Sequence, residues 1–222
     1  MKVTEAVQTR HSVRAFLGKP VDETDLRDIL EIAARAPSGG NLQPWQVYAL
    51  TGAALAELKA TVKDKLERGE RESGDYVIYP PKLWEPLRSR RREAGALRYA
   101  ALGVGREENG EALLEDMNFG FFGAPVGLFF CLDRRVGPPQ WSDLGMYMQT
   151  LMLLAVERGL ATCPQEIWSV WPQTVARVTG MPEELLLFAG MSLGYEDTSS
   201  PMNSYRTERE PLESFATFLG FE

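Results

Sequence analysis

Two short stretches of this chain carry residue types and spacings that chemistry can use. Arg10-His11-Ser12-Val13-Arg14 sets two permanent cations around a hydroxyl and the single histidine. In an extended or turning backbone, Arg10, Ser12 and Arg14 project to one side because side chains alternate. Two guanidiniums and a hydroxyl on one side form a clamp for phosphate or carboxylate, since arginine presents its donors as a rigid fork. The alternative is an exposed N-terminal segment with surface arginines. His11 suits a hydrogen-bonded scaffold residue and, alternatively, a general acid. The second stretch is Pro37-Ser38-Gly39-Gly40-Asn41-Leu42-Gln43-Pro44-Trp45. Its glycines permit positive φ and close backbone approach to a ligand, and Asn41 offers both donor and acceptor. Taken alone, a Gly-rich helix-to-strand connection is common. Further contacts to an anion could come from Asn203-Ser204-Tyr205-Arg206-Thr207-Glu208-Arg209.

Several other chemistries lack their residues. A net charge of −7 argues against general nucleic-acid binding, which demands net basicity. One histidine and two well-separated cysteines, Cys131 and Cys163, leave little from which to build a metal site, so none is expected. Cys163 reads as a core thiol rather than a nucleophile. There is no G-x-S-x-G elbow, no P-loop and no complete G-x-G-x-x-G after a strand; Gly103-Val104-Gly105 lacks the third glycine. No apolar run reaches transmembrane length, and Met1-Lys2-Val3-Thr4-Glu5 does not resemble a secretory signal. The expectation is a reduced, cytoplasmic chain without membrane contact.

The elements that must position these groups follow from periodicity. Asp22 is a good helix N-cap, with Asp25 in the manner of a capping box. Leu26, Ile29, Leu30 and Ala33 then mark one buried face, and Pro37 stops the helix. Trp45–Thr51 reads as a strand. Leu55, Leu58, Val62 and Leu66 mark a second amphipathic helix, with Gly69 as its C-terminal cap. Residues 70–110 are charged and proline-punctuated. Their run Arg88-Ser89-Arg90-Arg91-Arg92 fits a solvated helix face and, alternatively, a contact with an anionic cofactor tail or substrate. A helix is expected over 107–122 and a buried central strand over Val126–Asp133. Ser142 is expected to cap the longest helix, which is apolar almost all round and therefore buried in a core or against a second subunit. Its methionines, 146, 148 and 152, suit gap-filling core or an adaptable binding surface. Gly159 ends it. A strand over 160–167, a short helix from Pro172 to Gly180 and a strand over 185–195 follow. The tail, 196–222, has apolar anchors at Leu212, Phe215, Phe218, Leu219 and Phe221, which suit docking on a partner subunit. Alternating helices and strands imply a layered α/β or α+β domain.

In order along nearly the whole chain, the R-x-S-x-R start, the P-S-x-x-N-x-Q-P-W loop and the Gly-Met-x-Leu-Gly-Tyr strand with its downstream Arg-x-x-Arg resemble the FMN-dependent nitroreductase family. The resemblance implies an α+β fold, a three-layer α-β-α domain spanning 1–222 with a mostly antiparallel sheet. It implies an intertwined homodimer with FMN sites at the subunit interface. The charged, proline-punctuated residues 70–110 read as a substrate-side excursion. By carry-over, Arg10, Ser12 and Arg209 would hold the FMN phosphate, with His11 beside them. Arg14 would sit near the pyrimidine edge. Pro37, Ser38, Gly39 and Asn41 would approach the ring from the other subunit, and Pro164, Gln165 and Glu166 would face its N5 side. Gly39-Gly40 stand where some relatives have Ser-Ser or Ser-Thr, which loosens the detail of that contact. The implied activity is electron transfer from NADH or NADPH to nitroaromatic, quinone or related acceptors in a ping-pong cycle, with no obligate catalytic side chain. Reductive dehalogenation, flavin breakdown or non-catalytic flavin binding are the alternatives.

Overall fold

The computed structural model describes residues 1–221, with the side chains of 106 and 107 excepted; Glu222, the last residue of the expected tail, lies outside the described residues. Helix α1 (Val3–Thr9) leads to a two-residue strand β1 (Phe16–Leu17) and to α2 (Glu23–Ala33). Asp22 caps α2, accepting from the Thr24 backbone N–H at 2.7 Å. Strand β2 (Gln46–Thr51) and α3 (Gly52–Glu67) match the expected pair, and Gly69 takes the positive φ that ends α3. Within the 70–110 region, α4 spans Leu87–Leu102. Helix α5 (Glu111–Phe119) is shorter than the expected 107–122 helix, because Phe121 and Phe122 adopt positive φ and leave it. Strand β3 (Val126–Asp133) has the expected bounds.

Helix α6 (Pro138–Glu157) corrects one expectation. It begins four residues before Ser142, with Gly137 as its cap and Pro138-Pro139 in its first turn, where a missing N–H costs nothing. Ser142 lies inside the helix and donates its hydroxyl to the Pro139 carbonyl. Strand β4 (Ala161–Gln165), α7 (Pro172–Thr179) and β5 (Leu185–Glu196) complete the chain order. Gly180 closes α7 in the left-handed conformation.

The sheet order is β1-β5-β3-β2, with β4 also pairing β5, and every strand pairing is antiparallel. Helices cover both faces. Ile29 and Ala33 of α2 and Leu144 and Leu151 of α6 pack on Val126, Leu128, Phe130 and Leu132 of β3. Leu58 and Val62 of α3, Phe119 and Val175 pack on Phe129 and Cys131 of the same strand, from the opposite face. Alternate side chains of β3 thus enter two different cores, which explains its unbroken apolar sequence. Gly127 stands within this run for a steric reason: a Cβ there would lie 2.8 Å from the Phe121 ring.

The two charged segments are seated differently. Residues 70–86 are pinned at Glu72, whose carboxylate accepts from Lys65 Nζ at 2.8 Å, from the Gln173 and Thr174 backbone N–H groups at 2.9 and 3.1 Å, and from the Thr174 hydroxyl. Tyr76 pins them again, donating to the Phe188 carbonyl and stacking on the Phe188 ring. The tail leaves its apolar groups outside: Phe215, Phe218, Leu219 and Phe221 are 61–83 % exposed.

Candidate functional site

Arg10 follows the last turn of α1, and its N–H still bonds the Ala6 carbonyl. The chain then runs beside β4, where Ser12 forms a parallel bridge with Thr162 and the Val13 N–H donates to the Thr162 carbonyl at 3.0 Å. Val13 turns into the core. Arg10, His11, Ser12 and Arg14 line a cavity of about 830 Å³. Arg10, Ser12 and Arg14 thus share the cavity as expected, but His11 lines it too, so only Val13 follows the alternation to the other side, beside the pairing with β4.

The opposite end of the chain completes the cavity. Tyr205, Arg206, Thr207 and Arg209 line it, as do Arg90, Arg91, Ala94 and Arg98 of α4 and Tyr79. Seven of the sixteen lining residues are arginines, and none is Asp or Glu. Asn203 joins the two ends: its side-chain carbonyl accepts from the Arg14 N–H at 2.8 Å, and its amide donates to the Ala15 and Asp197 carbonyls. Arg14 in turn donates to the Tyr205 hydroxyl at 3.0 Å and to the Ser12 carbonyl.

Among the described residues, most of these guanidiniums pair with no carboxylate. Arg206 bonds the carbonyls of Asn203 and Tyr205, and Arg209 bonds the carbonyls of Thr207 and Glu208 and the Thr207 hydroxyl. Arg90 is the exception, paired with Glu210 at 2.7 Å. Arg10 is held below its ordinary pKa, first by desolvation and then by the charge of Arg209. Residues 199 positions apart thus repel one another across the cavity (209 − 10), a cost that a bound anion would reverse.

His11 is held between the Thr9 carbonyl and the Glu196 carboxylate, each at 3.2 Å, which is the scaffold arrangement. Cys163 lies beneath the same arginines. Burial pushes its thiol up, against the pull of Arg14, Arg98 and Arg10, and it is 1 % exposed. It is the core thiol that its sequence context implies.

The remaining predicted site residues lie apart from this cavity. Pro37, Ser38, Gly39 and Asn41 do not line it. Their loop turns through positive φ at Gly40, Asn41 and Gln43 and packs on the first turns of α6, where the Gly39 N–H points at the buried carboxylate of Asp143. Pro164, Gln165 and Glu166 continue β4 past Cys163. The Gln165 side chain is directed inward: it donates to the Asn118 carbonyl at 2.6 Å and accepts from Ser192 at 2.7 Å, leaving only its backbone for a ligand. Glu166 is exposed and faces Tyr79, whose phenol is pushed up by burial and then by that carboxylate.

Sequence reasoning missed Tyr79, Arg98 and the contribution of α1. Arg98 had a readable signal, since it stands seven residues after Arg91, on the same face of a helix. Tyr79 had none, because it sits in an irregular segment. A second cavity, of about 1130 Å³, adjoins the first along α4 and the tail; Leu97, Ala100 and Phe215 line it.

An antiparallel sheet covered by helices on both faces, with an arginine-lined cavity at the β4 edge, defines an α+β protein. The chain belongs to the nitroreductase family, whose model matches residues 7–195. It is 35% identical over 217 residues to the 4-nitrobenzoate reductase of Pseudomonas putida, covering 97% of this chain and 95% of that one. The crystal structure of an FMN and NADPH-dependent nitroreductase NfnB from sphigopyxis sp. strain HMH superposes with a TM-score of 0.95 at 41% identity, covering 100% of both chains. The FMN-dependent nitroreductase NfnB from Mycobacterium smegmatis, solved in complex with NADPH, superposes with a TM-score of 0.90 at 32% identity, covering 98% of both.

Proposed function

We infer that this protein is an FMN-dependent oxidoreductase that takes electrons from NADPH or NADH and reduces nitroaromatic and related acceptors. The observation that carries the reading is the meeting of Arg10, Ser12 and Arg209 in a cavity whose arginines far outnumber its carboxylates, which are absent from the lining. The fit to FMN is chemical and spatial. A phosphate dianion would complete the unpaired cations, and the volume lies in the range of roughly 300–1,000 Å³ usual for small-molecule sites.

When bound, FMN supplies the redox chemistry, passing electrons from the nicotinamide to the acceptor. The chain's own residues bind and orient. Arg10, Ser12 and Arg209 hold the phosphate. Arg14, fixed by Tyr205 and by the Asn203 bond to its backbone, offers a cation to the pyrimidine edge, where negative charge grows on reduction. The loop of Pro37, Ser38, Gly39 and Asn41 reaches the ring from a second copy, which accounts for its distance from the cavity within one chain. The exposed tail aromatics dock on that copy, making a homodimer, and residues 70–110 wall the acceptor side. Among the described residues no helix is long and apolar enough to cross a membrane, and a cytoplasmic location agrees with two free, buried cysteines.

The direct test is optical. The purified protein should be yellow, bleach on anaerobic addition of NADPH or NADH, and recover its colour when 4-nitrobenzoate or nitrobenzene is added. A protein that binds no FMN, or whose flavin neither nicotinamide can bleach, would overturn the reading.

A further inference from the structure

The geometry points to a second anion subsite in the same cavity, formed by Arg91 and Arg98 of α4, which takes an oxyanion carried by the molecule that exchanges at the flavin. This rests on the flavin reading above and adds to it the charge class of the exchanging ligand.

The arginines of α4 fall into two groups. Arg88 pairs with Glu85 at 2.7 Å and does not line the cavity, and Arg90 pairs with Glu210 at 2.7 Å. Arg91 and Arg98 line the cavity, and no carboxylate pairs with either among the described residues. Arg91 stacks on the Tyr79 ring, 4.2 Å from its centroid. That contact fixes the plane of the guanidinium and leaves its edge donors free. Arg98 uses its Nε–H on the Ala94 carbonyl of its own helix at 3.2 Å, so its terminal donors are free as well. The two residues are seven apart and stand on one helix face, two turns from each other. Between them on that face is Ala94, which fills little of the space.

This pair is not needed for the FMN phosphate. Arg10 and Arg209 face each other closely enough for the charge of one to depress the pKa of the other, and Ser12 lines the same cavity. Arg91 instead borders Tyr79, which faces Glu166 at the end of β4. That is the side from which a donor or acceptor would approach the ring. Once a phosphate dianion is in place on Arg10 and Arg209, Arg91 and Arg98 still line the cavity with no carboxylate partner among the described residues. The ligand chemistry that completes them is a second oxyanion. It has two possible sources, a carboxylate on an aromatic acceptor or the 2′-phosphate of the nicotinamide donor.

Calorimetry on the FMN-loaded protein separates the sources with non-reacting probes: benzoate against benzamide, and adenosine 2′-monophosphate against adenosine. The anionic member of at least one pair should bind about tenfold or more tightly than its neutral partner, the size of one charge-assisted contact. R91Q/R98Q should abolish that preference, leaving the neutral probe unaffected, while R92Q, on the same helix but off the cavity, should retain it. Loss for benzoate assigns the subsite to the acceptor, and loss for adenosine 2′-monophosphate assigns it to the donor. If neither anion is preferred, or the preference survives in R91Q/R98Q, the subsite is refuted. Visible flavin absorbance is read on every sample, so failure to hold FMN is recognised separately as failure of the functional reading.

Discussion

Glu72 and the arginine cavity are both concentrations of charge, and they are built in opposite ways. The Glu72 side chain is 5 % exposed and receives four donors, from Lys65, from the first turn of α7 and from the Thr174 hydroxyl. Every nearby donor is matched to it. In the cavity seven arginines converge with one carboxylate partner among the described residues, Glu210 on Arg90, and that carboxylate is outside the lining. A chain with a net charge of −7 had acids available to neutralise the cavity. It places them elsewhere, and the arginines bond carbonyls and hydroxyls instead. The first arrangement stabilises the native state by satisfying a buried charge. The second leaves guanidiniums repelling one another, a repulsion that the proposed anionic ligand would relieve, and it focuses a positive field in an acidic molecule. The contrast teaches which charges serve the fold and which serve the ligand, and it can be broken from either side.

The largest expected effect is on the ligand side. On the proposed reading, R10A/R209A would remove two charge-assisted contacts to the FMN phosphate, each worth ~1.5–3 kcal/mol, for about 3–6 kcal/mol together. The FMN dissociation constant should rise roughly 10²- to 10⁴-fold, as read by equilibrium dialysis. The thermal stability of the flavin-free protein should hold or increase, since the repulsion between the two guanidiniums is gone. Unchanged flavin affinity would remove the phosphate assignment, and a large drop in flavin-free stability would place these arginines with Glu72.

Glu72→Gln tests the other side. It discards charge-assisted hydrogen bonds and leaves Lys65 without its partner, so urea unfolding of the flavin-free protein should show a loss of about 2–3 kcal/mol near neutral pH. Burial pushes the Glu72 carboxyl up, but the bonds from Lys65 and Thr174 outweigh it and hold the group below its ordinary value of 4.5. A carboxyl depressed in the folded state contributes stability above its unfolded value and loses it as pH falls through the folded one. The gap between parent and variant should therefore be full at neutral pH and close as pH drops below 4.5. A gap independent of pH would mean that packing, not charge, holds residues 70–86 in place.

Much of this architecture is legible in the sequence, because the deciding signals are local. Asp22 through its side chain, and Gly69, Gly159, Pro172 and Gly180 through their backbone, mark helix ends, and β3 is read correctly from its apolar run. Ser142 misleads, because a serine is a good cap wherever it stands, and the competing start at Pro138 wins through the fixed φ of proline. Strand β1 is invisible since two residues carry no periodicity; it exists because Phe16 and Leu17 find Glu196 and Tyr195. The clamp motif is legible as chemistry, but its completion by Arg209 depends on the bridging by Asn203, a contact across 189 positions. The run at 88–92 could not be divided from sequence into paired and unpaired arginines, since Glu85 is near in sequence and Glu210 is not.

That division supplies the smallest expected effect and the sharpest control. Arg88 bonds Glu85 across one helical turn with both side chains about half exposed or more, so water screens the pair. Such exposed pairs contribute about 0–1 kcal/mol, because side-chain entropy offsets the weak Coulomb gain. Arg88→Ala should therefore shift stability by less than about 1 kcal/mol and leave the FMN dissociation constant unchanged. Arg88 is a cation only three residues from Arg91 along the same helix, so the comparison isolates direction from charge. If flavin affinity fell in R88A as it does in R10A/R209A, the positive field of α4 as a whole would be acting, and the line drawn between lining and non-lining arginines would dissolve. If it holds, the cavity works through the guanidiniums aimed into it, and the rest of the run is solvated surface.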